Sequence, residues 1–217
     1  MARGTDFGGI HSHYHLHLIQ QSVEIDPAEP KLKFVDIPGA DGVKDMSTQP
    51  AGRVTFNARK LTWTFAIYPG ERWDDKHRQV SNALNGRQCM ITLDSDPDYY
   101  YIGRLSVSKY KVDNVLRQIT VVATCQPYKL KQEPTVAVMA LSGDFRPMTL
   151  QNERKAVAPV IQVTTEAILR WNGATINIPA GTHEILGITL EEGVNVLEAM
   201  STGGVGTITV TYQEGAL

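Results

Sequence analysis

Apolar and polar residues alternate along much of the chain, and this period-two pattern is typical of β-strands with one buried face. One apolar face comprises Leu61, Trp63, Phe65 and Ile67. The same alternation recurs in three further segments, 89–93, 119–125 and 207–212. Gly, Asn and Asp separate these runs, as at 172–173, 192–193 and 203–204. The pattern therefore predicts a chain of strands joined by hairpin turns.

One segment has helical spacing instead. Its apolar stripe consists of Trp73, His77, Val80 and Leu84. Two aspartates fall in the first turn, where the helix dipole favours negative charge, and Gly86 suits a left-handed cap. We predict a single substantial helix over 71–85, packed through this stripe against a sheet. His77 is expected to be a packed core histidine and not a ligand.

Composition and charge divide the chain into two modules. Residues 1–131 carry a net positive charge and most of the aromatic side chains, whereas residues 132–217 carry a net negative charge. Pro134 near this division suits a short linker. We predict a mostly β protein, with the helix in a first domain, 1–131, and an all-β second domain, 132–217.

Several functional classes are disfavoured by the overall composition. The chain has 217 residues, 42% of them hydrophobic and 20% charged, with a net charge of −2, so it resembles a folded domain without the basic excess of a nucleic-acid-binding protein. No apolar stretch is long enough for a membrane helix, and residues 1–6 lack the apolar region of a secretory signal. We expect synthesis in a cytoplasm. The two cysteines, Cys89 and Cys125, are expected to be buried free thiols.

The most conspicuous polar cluster is the run His11-Ser12-His13-Tyr14-His15-Leu16-His17. On a strand the four histidines would share one face, about 7 Å apart. A metal site needs three or four convergent ligands, and no acidic or cysteine partner is close in sequence. We therefore expect a solvated or subunit-facing surface, with a pH-sensitive interface preferred over a bound metal.

Other chemistry-bearing motifs have simpler structural explanations. Residues 94–98, Asp-Ser-Asp-Pro-Asp, resemble the start of a calcium loop but lack its later glycine and glutamate, so a turn is predicted. The glycine-rich segment 203–206 has no helix after it, which favours a hairpin over a phosphate loop. No catalytic motif is present. We expect no enzyme activity, no metal and no cofactor.

An ordered set of segments resembles a known family. These segments are VDIPGADG at 35–42, SNALNG at 81–86, DPDYYYIGR at 96–104, TCQPY at 124–128 and VTYQEGAL at 210–217. Together they resemble the distal tail protein of long-tailed, non-contractile bacteriophages, over nearly the whole chain. The DPDYYYIGR and CQPYKL runs are the most specific.

This resemblance implies a structural role at the phage tail tip. Family members form a hexameric ring between the tail tube and the tip, and they assemble with the tape-measure protein and the tail-associated lysin or tip protein. The resemblance implies a β-sandwich-like first domain that builds the ring and a galectin-like second β-sandwich. Residues 132–217 leave no room for the long arm or inserted carbohydrate-binding domain of some members. The expected location is the virion, with no membrane and no sequence-specific nucleic acid as partners.

Two stretches are candidate subunit interfaces. The first is the histidine run, His11, His13, His15 and His17; the second is Tyr99, Tyr100 and Tyr101, which cannot all face one side of a strand. Aromatic residues are enriched at interfaces. The alternative function is a stand-alone sugar-binding module, in which Trp171 stacks on a sugar ring, although Trp171-Asn172-Gly173 also fits a strand entering a turn.

Overall fold

The computed structural model describes residues 4–108 and 118–217, and it has two compact units, Met1–Lys129 and Leu130–Leu217. The protein is mostly β, as predicted, with several antiparallel sheets. No helix of the described residues is long and apolar enough to cross a membrane.

The first unit contains one long antiparallel sheet, a small hairpin and a helix. Its strands are β1 (Thr5–Phe7), β2 (Leu18–Ile25), β3 (Phe34–Asp36), β4 (Val43–Asp45), β5 (Arg59–Ile67), β6 (Gln88–Leu93), β7 (Asp96–Val107) and β8 (Gln118–Cys125), and its helix is α1 (Trp73–Leu84). The sheet order is β1-β6-β7-β8-β5-β2, while β3 and β4 pair only with each other among the described residues. The alternation predicted for 61–67 is confirmed, since every second residue of β5 is buried.

Helix α1 covers the sheet through the predicted stripe. Val80 and Leu84 are fully buried in the core, and Trp73 packs against its margin. His77 is only partly buried; its ring stacks on Trp73 with centroids 4.8 Å apart. Gly86 has φ +79°, the left-handed conformation that ends helices at low cost in glycine.

The helix also buries a cation that its apolar stripe did not predict. Lys76 lies between the turns that carry Trp73 and Val80, and its Nζ donates to the Leu16 carbonyl at 3.1 Å and pairs with Glu71 at 3.1 Å. A buried ammonium is tolerated when its donors are satisfied in this way.

The second unit is a sandwich of two four-stranded sheets. Between the two units in sequence lies β9 (Lys129–Lys131). The sandwich strands are β10 (Thr135–Leu141), β11 (Arg146–Asn152), β12 (Val160–Val163), β13 (Ala167–Trp171), β14 (Ala174–Ile178), β15 (Gly181–Glu184), β16 (Gly193–Ser201) and β17 (Gly206–Tyr212), followed by β18 (Gly215–Ala216). The sheet orders are β10-β17-β12-β15 and β11-β16-β13-β14. The predicted strand at 207–212 is confirmed. The hairpin predicted at 203–206 is wrong, because the segment connects β16 to β17, which pair with other strands in two different sheets.

Four residues form a row across the buried face of the first sheet. Cys89, Gly103, Cys125 and Arg59 are cross-strand neighbours on β6, β7, β8 and β5 in turn. Because Cys89 and Cys125 are two strands apart, about 10 Å, they are too distant for a disulfide. Both are free thiols, with Cys125 buried and Cys89 partly buried.

The Cys125 thiol should make the stability of the protein fall at alkaline pH. Burial, together with nearby Cys89, raises the pKa of Cys125 from 9.0 to about 12, although Arg59 opposes the shift. Above pH 9 the unfolded thiol loses its proton while the folded thiol keeps it, so the folded state binds more protons and its stability decreases with pH. Urea unfolding of Cys125→Ala between pH 7 and 10.5 should show a shallower decrease than that of the natural chain. Equal slopes for the two proteins would contradict this prediction.

Candidate assembly surfaces

The segment between β2 and β5 exposes a row of apolar side chains on a hairpin. Strands β3 and β4 pair Phe34 with Asp45 and Asp36 with Val43. Leu32, Phe34 and Val43 remain 58%, 54% and 61% exposed. Large apolar side chains grouped on the surface of one chain are a common mark of a protein–protein contact.

The backbone of this segment is held by a regular set of hydrogen bonds. Three bonds of 2.8 Å link its two sides, from Lys31 N–H to Thr55 O, from Met46 N–H to Lys33 O and from Asn57 N–H to Glu29 O. Near the hairpin base, Lys33 N–H donates to Ser47 Oγ and Ser47 N–H donates to Asp45 Oδ1, both at 2.8 Å. Hydrogen bonds from the hydroxyl and then from the backbone N–H of Ser47 hold the pKa of Asp45 below its usual value. The backbone that carries the exposed apolar side chains is therefore held in place by hydrogen bonds.

Sequence reasoning missed this surface. The segment 35–42 was noted for its family resemblance, yet the apolar residues on either side of its glycine-rich turn were not proposed as a contact. The available signal was the number of large apolar residues, Leu32, Phe34, Val35, Ile37 and Val43, in a stretch otherwise rich in Asp, Lys, Gly and Pro.

The histidine run forms a turn, so the shared face that the four histidines would have on a strand is not present. Residues 12–16 form turns, and β2 begins only at Leu18. His15 N–H donates to the His11 carbonyl and His17 N–H to the His13 carbonyl, at 3.0 and 3.1 Å. These local bonds replace strand pairing, and His17 has φ +50°. The four imidazoles therefore do not share one face.

His11 is the structural centre of this turn. Its Nδ1 lies 3.2 Å from the His13 backbone nitrogen and 3.3 Å from that of Tyr14. Because the backbone N–H groups of His13 and Tyr14 are donors, the His11 Nδ1 is the acceptor. The proton of the ring is then on Nε2, which donates to Asp94 Oδ1 at 3.2 Å. Asp94 also accepts from Gly4 N–H at 2.7 Å. His11 is buried, whereas His15 and His17 are exposed and His13 is partly buried.

The three adjacent tyrosines differ in their surroundings. Tyr101 is buried, with the Arg59 guanidinium 5.8 Å from its ring centre. Tyr99 is partly buried, and its ring lies 4.3 Å from Lys129 Nζ, which also pairs with Asp96 at 2.7 Å. Tyr100 is also partly buried. Tyr101 belongs to the core, so of the three only Tyr99 and Tyr100 remain available for a contact.

The acidic segment 94–98, which resembles the start of a calcium loop, is a tight turn followed by a strand. Leu93 pairs with Asp96, so Asp94 and Ser95 form the two-residue loop, while Pro97 lies in β7 and not in the turn. Within 4–108 and 118–217, no group of three or more His, Cys, Asp or Glu side chains could hold a metal ion.

Trp171 is not placed to stack on a sugar. Its side chain is 6% exposed and belongs to the core of the second unit. The chain then turns through Asn172 and Gly173, with φ +48° and +82°, the conformation of a two-residue hairpin. The strand-to-turn interpretation is confirmed, and the sugar-stacking role proposed for this residue is wrong.

The fold defines a class of protein: an antiparallel sheet with one helix among the described residues and an exposed apolar hairpin, followed in sequence by a β-sandwich. Among solved structures, the chain is similar to the crystal structure of the SPP1 Dit (gp 19.1) protein, described as a paradigm of the hub adsorption apparatus in phages that infect Gram-positive bacteria. The two chains are 17% identical, each covered over 100% of its length, with a TM-score of 0.68. No protein-family model and no curated protein matches the chain. The resemblance to distal tail proteins is thus confirmed in the fold.

Proposed function

We propose that this chain is a structural protein of a phage tail tip, in which six copies form a ring that joins the tail tube to the adsorption apparatus. The fold likeness to the SPP1 Dit protein supports the tail-tip role. The observation that carries the ring is the ordered hairpin with exposed Leu32, Phe34 and Val43. In this proposal the protein resides in the virion and acts by assembly, not by catalysis.

A head-to-tail ring needs two different complementary patches on each subunit. The hairpin supplies one of them, because its main chain is already fixed by hydrogen bonds and little conformational entropy is lost on docking. Burying its apolar side chains against the next subunit would contribute roughly 25 cal/mol per Å² of apolar surface removed from water.

The tail tube protein, the tape-measure protein and the tail-associated lysin or tip protein are the proposed partners of the ring. The first unit is proposed to build the ring and the second, galectin-like unit to lie outside it. The other candidate contacts are the accessible residues of the two stretches, His13, His15, His17, Tyr99 and Tyr100. The stand-alone sugar-binding function is less favoured, because Trp171 is a core residue.

Replacing the hairpin's apolar residues should prevent ring formation. We expect the natural chain to have a mass near six times 24.0 kDa by light scattering, with closed rings in negative-stain images. Phe34→Lys and Val43→Lys should abolish the six-copy species and its closed rings. Lysine is chosen because the cross-strand partners, Asp45 and Asp36, are acidic, so the hairpin keeps a favourable pairing.

Leu186→Lys is the matched control, since Leu186 is almost fully exposed in the second unit and its replacement should leave the ring intact. His15→Ala and Tyr100→Ala test the other candidate contacts by the same measurement. A natural chain that remains at 24.0 kDa at every concentration, or hairpin variants that still form rings, would contradict the proposed assembly.

A further inference from the structure

The two sheets of the second unit end in four edge strands, and three of them are short or protected. Strand β11 contains Arg146 and Pro147, and β15 contains His183 and Glu184. Charged residues and proline discourage pairing with another chain. Strand β14 has five residues, whereas β10 has seven, without a charge or a proline. Strand β10 is therefore the edge least protected against a further strand.

The edge of β10 that points away from β17 is free among the described residues. Its only strand partner there is β17. In an antiparallel pair, alternate residues direct their N–H and C=O groups away from the partner, so β10 offers a row of donors and acceptors. Val136 and Val138 are 55% and 63% exposed on the outer face, while Ala137 and Met139 pack against the sandwich core.

The sequence of β10 is complementary to itself when two copies run antiparallel about Val138. In that register Val136 is opposite Ala140, Ala137 is opposite Met139, and Val138 is opposite its own copy. Each larger side chain away from the centre thus faces a smaller one, and no charges oppose each other. An edge that matches itself in size and is uncharged favours a second copy of this chain as its occupant.

We propose that Thr135–Leu141 pairs antiparallel with the same strand of a second copy, joining two four-stranded sheets into one of eight strands. The contact is isologous, because each copy contributes the same patch. It differs from the heterologous contact of the proposed ring, so the two contacts can be disrupted independently. The pairing also gives the exposed Val136 and Val138 cross-strand neighbours.

Site-specific cross-linking tests both the contact and its register. Under mild oxidation, Val138→Cys should give a covalent dimer of twice 24.0 kDa, since opposed residues come within disulfide distance. Val136→Cys should form little covalent dimer, because the residue opposite it in this register is Ala140, which has no thiol. Val205→Cys, in the exposed turn before β17, gives the rate of cross-linking by random collision. The natural chain shows how much cross-linking comes from Cys89 and Cys125.

Sedimentation gives a second measure without added cysteines. In the Phe34→Lys background, which removes the proposed ring contact, the chain should associate from one copy to two as its concentration rises. Adding Val138→Lys should abolish this association, whereas Val194→Lys, on the exposed face of β16, should not. The proposal is overturned if Val138→Cys cross-links no faster than Val205→Cys, or if Val138→Lys leaves the mass unchanged. A natural chain that forms dimers but never rings would contradict the proposed ring and leave the strand pairing standing.

Discussion

Replacing Trp63 by alanine should lower the free energy of unfolding by about 3–5 kcal/mol, the range for truncating a large buried aromatic residue. Trp63 is fully buried on β5 and packs edge-on against Phe7, with ring centres 5.1 Å apart. Its Nε1–H donates to Thr5 Oγ1 at 3.0 Å, and Thr5 donates in turn to Gln20 Oε1 at 2.7 Å. The substitution therefore creates a cavity and removes a donor from a buried hydroxyl. Urea unfolding provides the measurement.

Trp63→Phe separates these two contributions. It retains an aromatic ring against Phe7 but removes the N–H that Thr5 accepts, so we expect a loss of about 1–3 kcal/mol, the cost of a buried polar group left without its partner. Hydrogen exchange should show lost protection in β5 and β8 for Trp63→Ala and much less change for Trp63→Phe. Equal losses for the two variants would show that the cavity is unimportant.

Much of the fold could be predicted because its signals are local. The alternation at Leu61, Trp63, Phe65 and Ile67 identifies β5, since side chains of a strand point to opposite faces in turn. The helical spacing of Val80 and Leu84 identifies α1 in the same way. The Asn172-Gly173 turn follows from the positive φ values that a two-residue hairpin requires.

Other features depend on residues far apart in sequence, and local patterns could not reveal them. The histidine run has the alternation of a strand, yet Asp94 binds both His11 and Gly4 and holds the run as a turn. Lys76 is buried because the Leu16 carbonyl and Glu71 satisfy its ammonium group. The β3–β4 hairpin is exposed because no other described strand pairs with it. The pattern of residues within one strand does not show which other strands pair with it.

The two proposed contacts would account for exposed apolar surfaces that the stability of a single chain does not explain. Phe34 and Val43 on one unit and Val136 and Val138 on the other leave more than half of their surface exposed in the single chain. Exposed apolar residues that are grouped on a surface are a common mark of contacts between chains. The proposed ring and the proposed strand pairing use different surfaces, so a single lysine substitution should disrupt one contact and spare the other.

Gly103→Ala is expected to destabilise the protein by about 1–3 kcal/mol through overpacking. A Cβ at this position would lie 3.1 Å from the Thr124 carbonyl and 3.3 Å from Cys125 Cα, and it would collide with Cys125 Sγ. The backbone of Gly103 is not in the left-handed region, so the cost is steric. Gly143→Ala is the matched control, because nothing lies within 4 Å of its added Cβ. That control should be neutral or slightly stabilising, since alanine reduces the freedom of the unfolded chain.

A double-mutant cycle tests whether Cys125 is the main obstacle to a side chain at position 103. Removing the sulfur with Cys125→Ala should restore part of the stability lost in Gly103→Ala, so the double variant should lose less than the two single changes added together. Recovery should be incomplete, because the Thr124 carbonyl and the Cys125 main chain still crowd the new Cβ. Unfolding free energies for the four proteins give the coupling energy. Strict additivity would mean that the sheet relaxes around the added methyl group and that the bare glycine is not what accommodates the buried thiol.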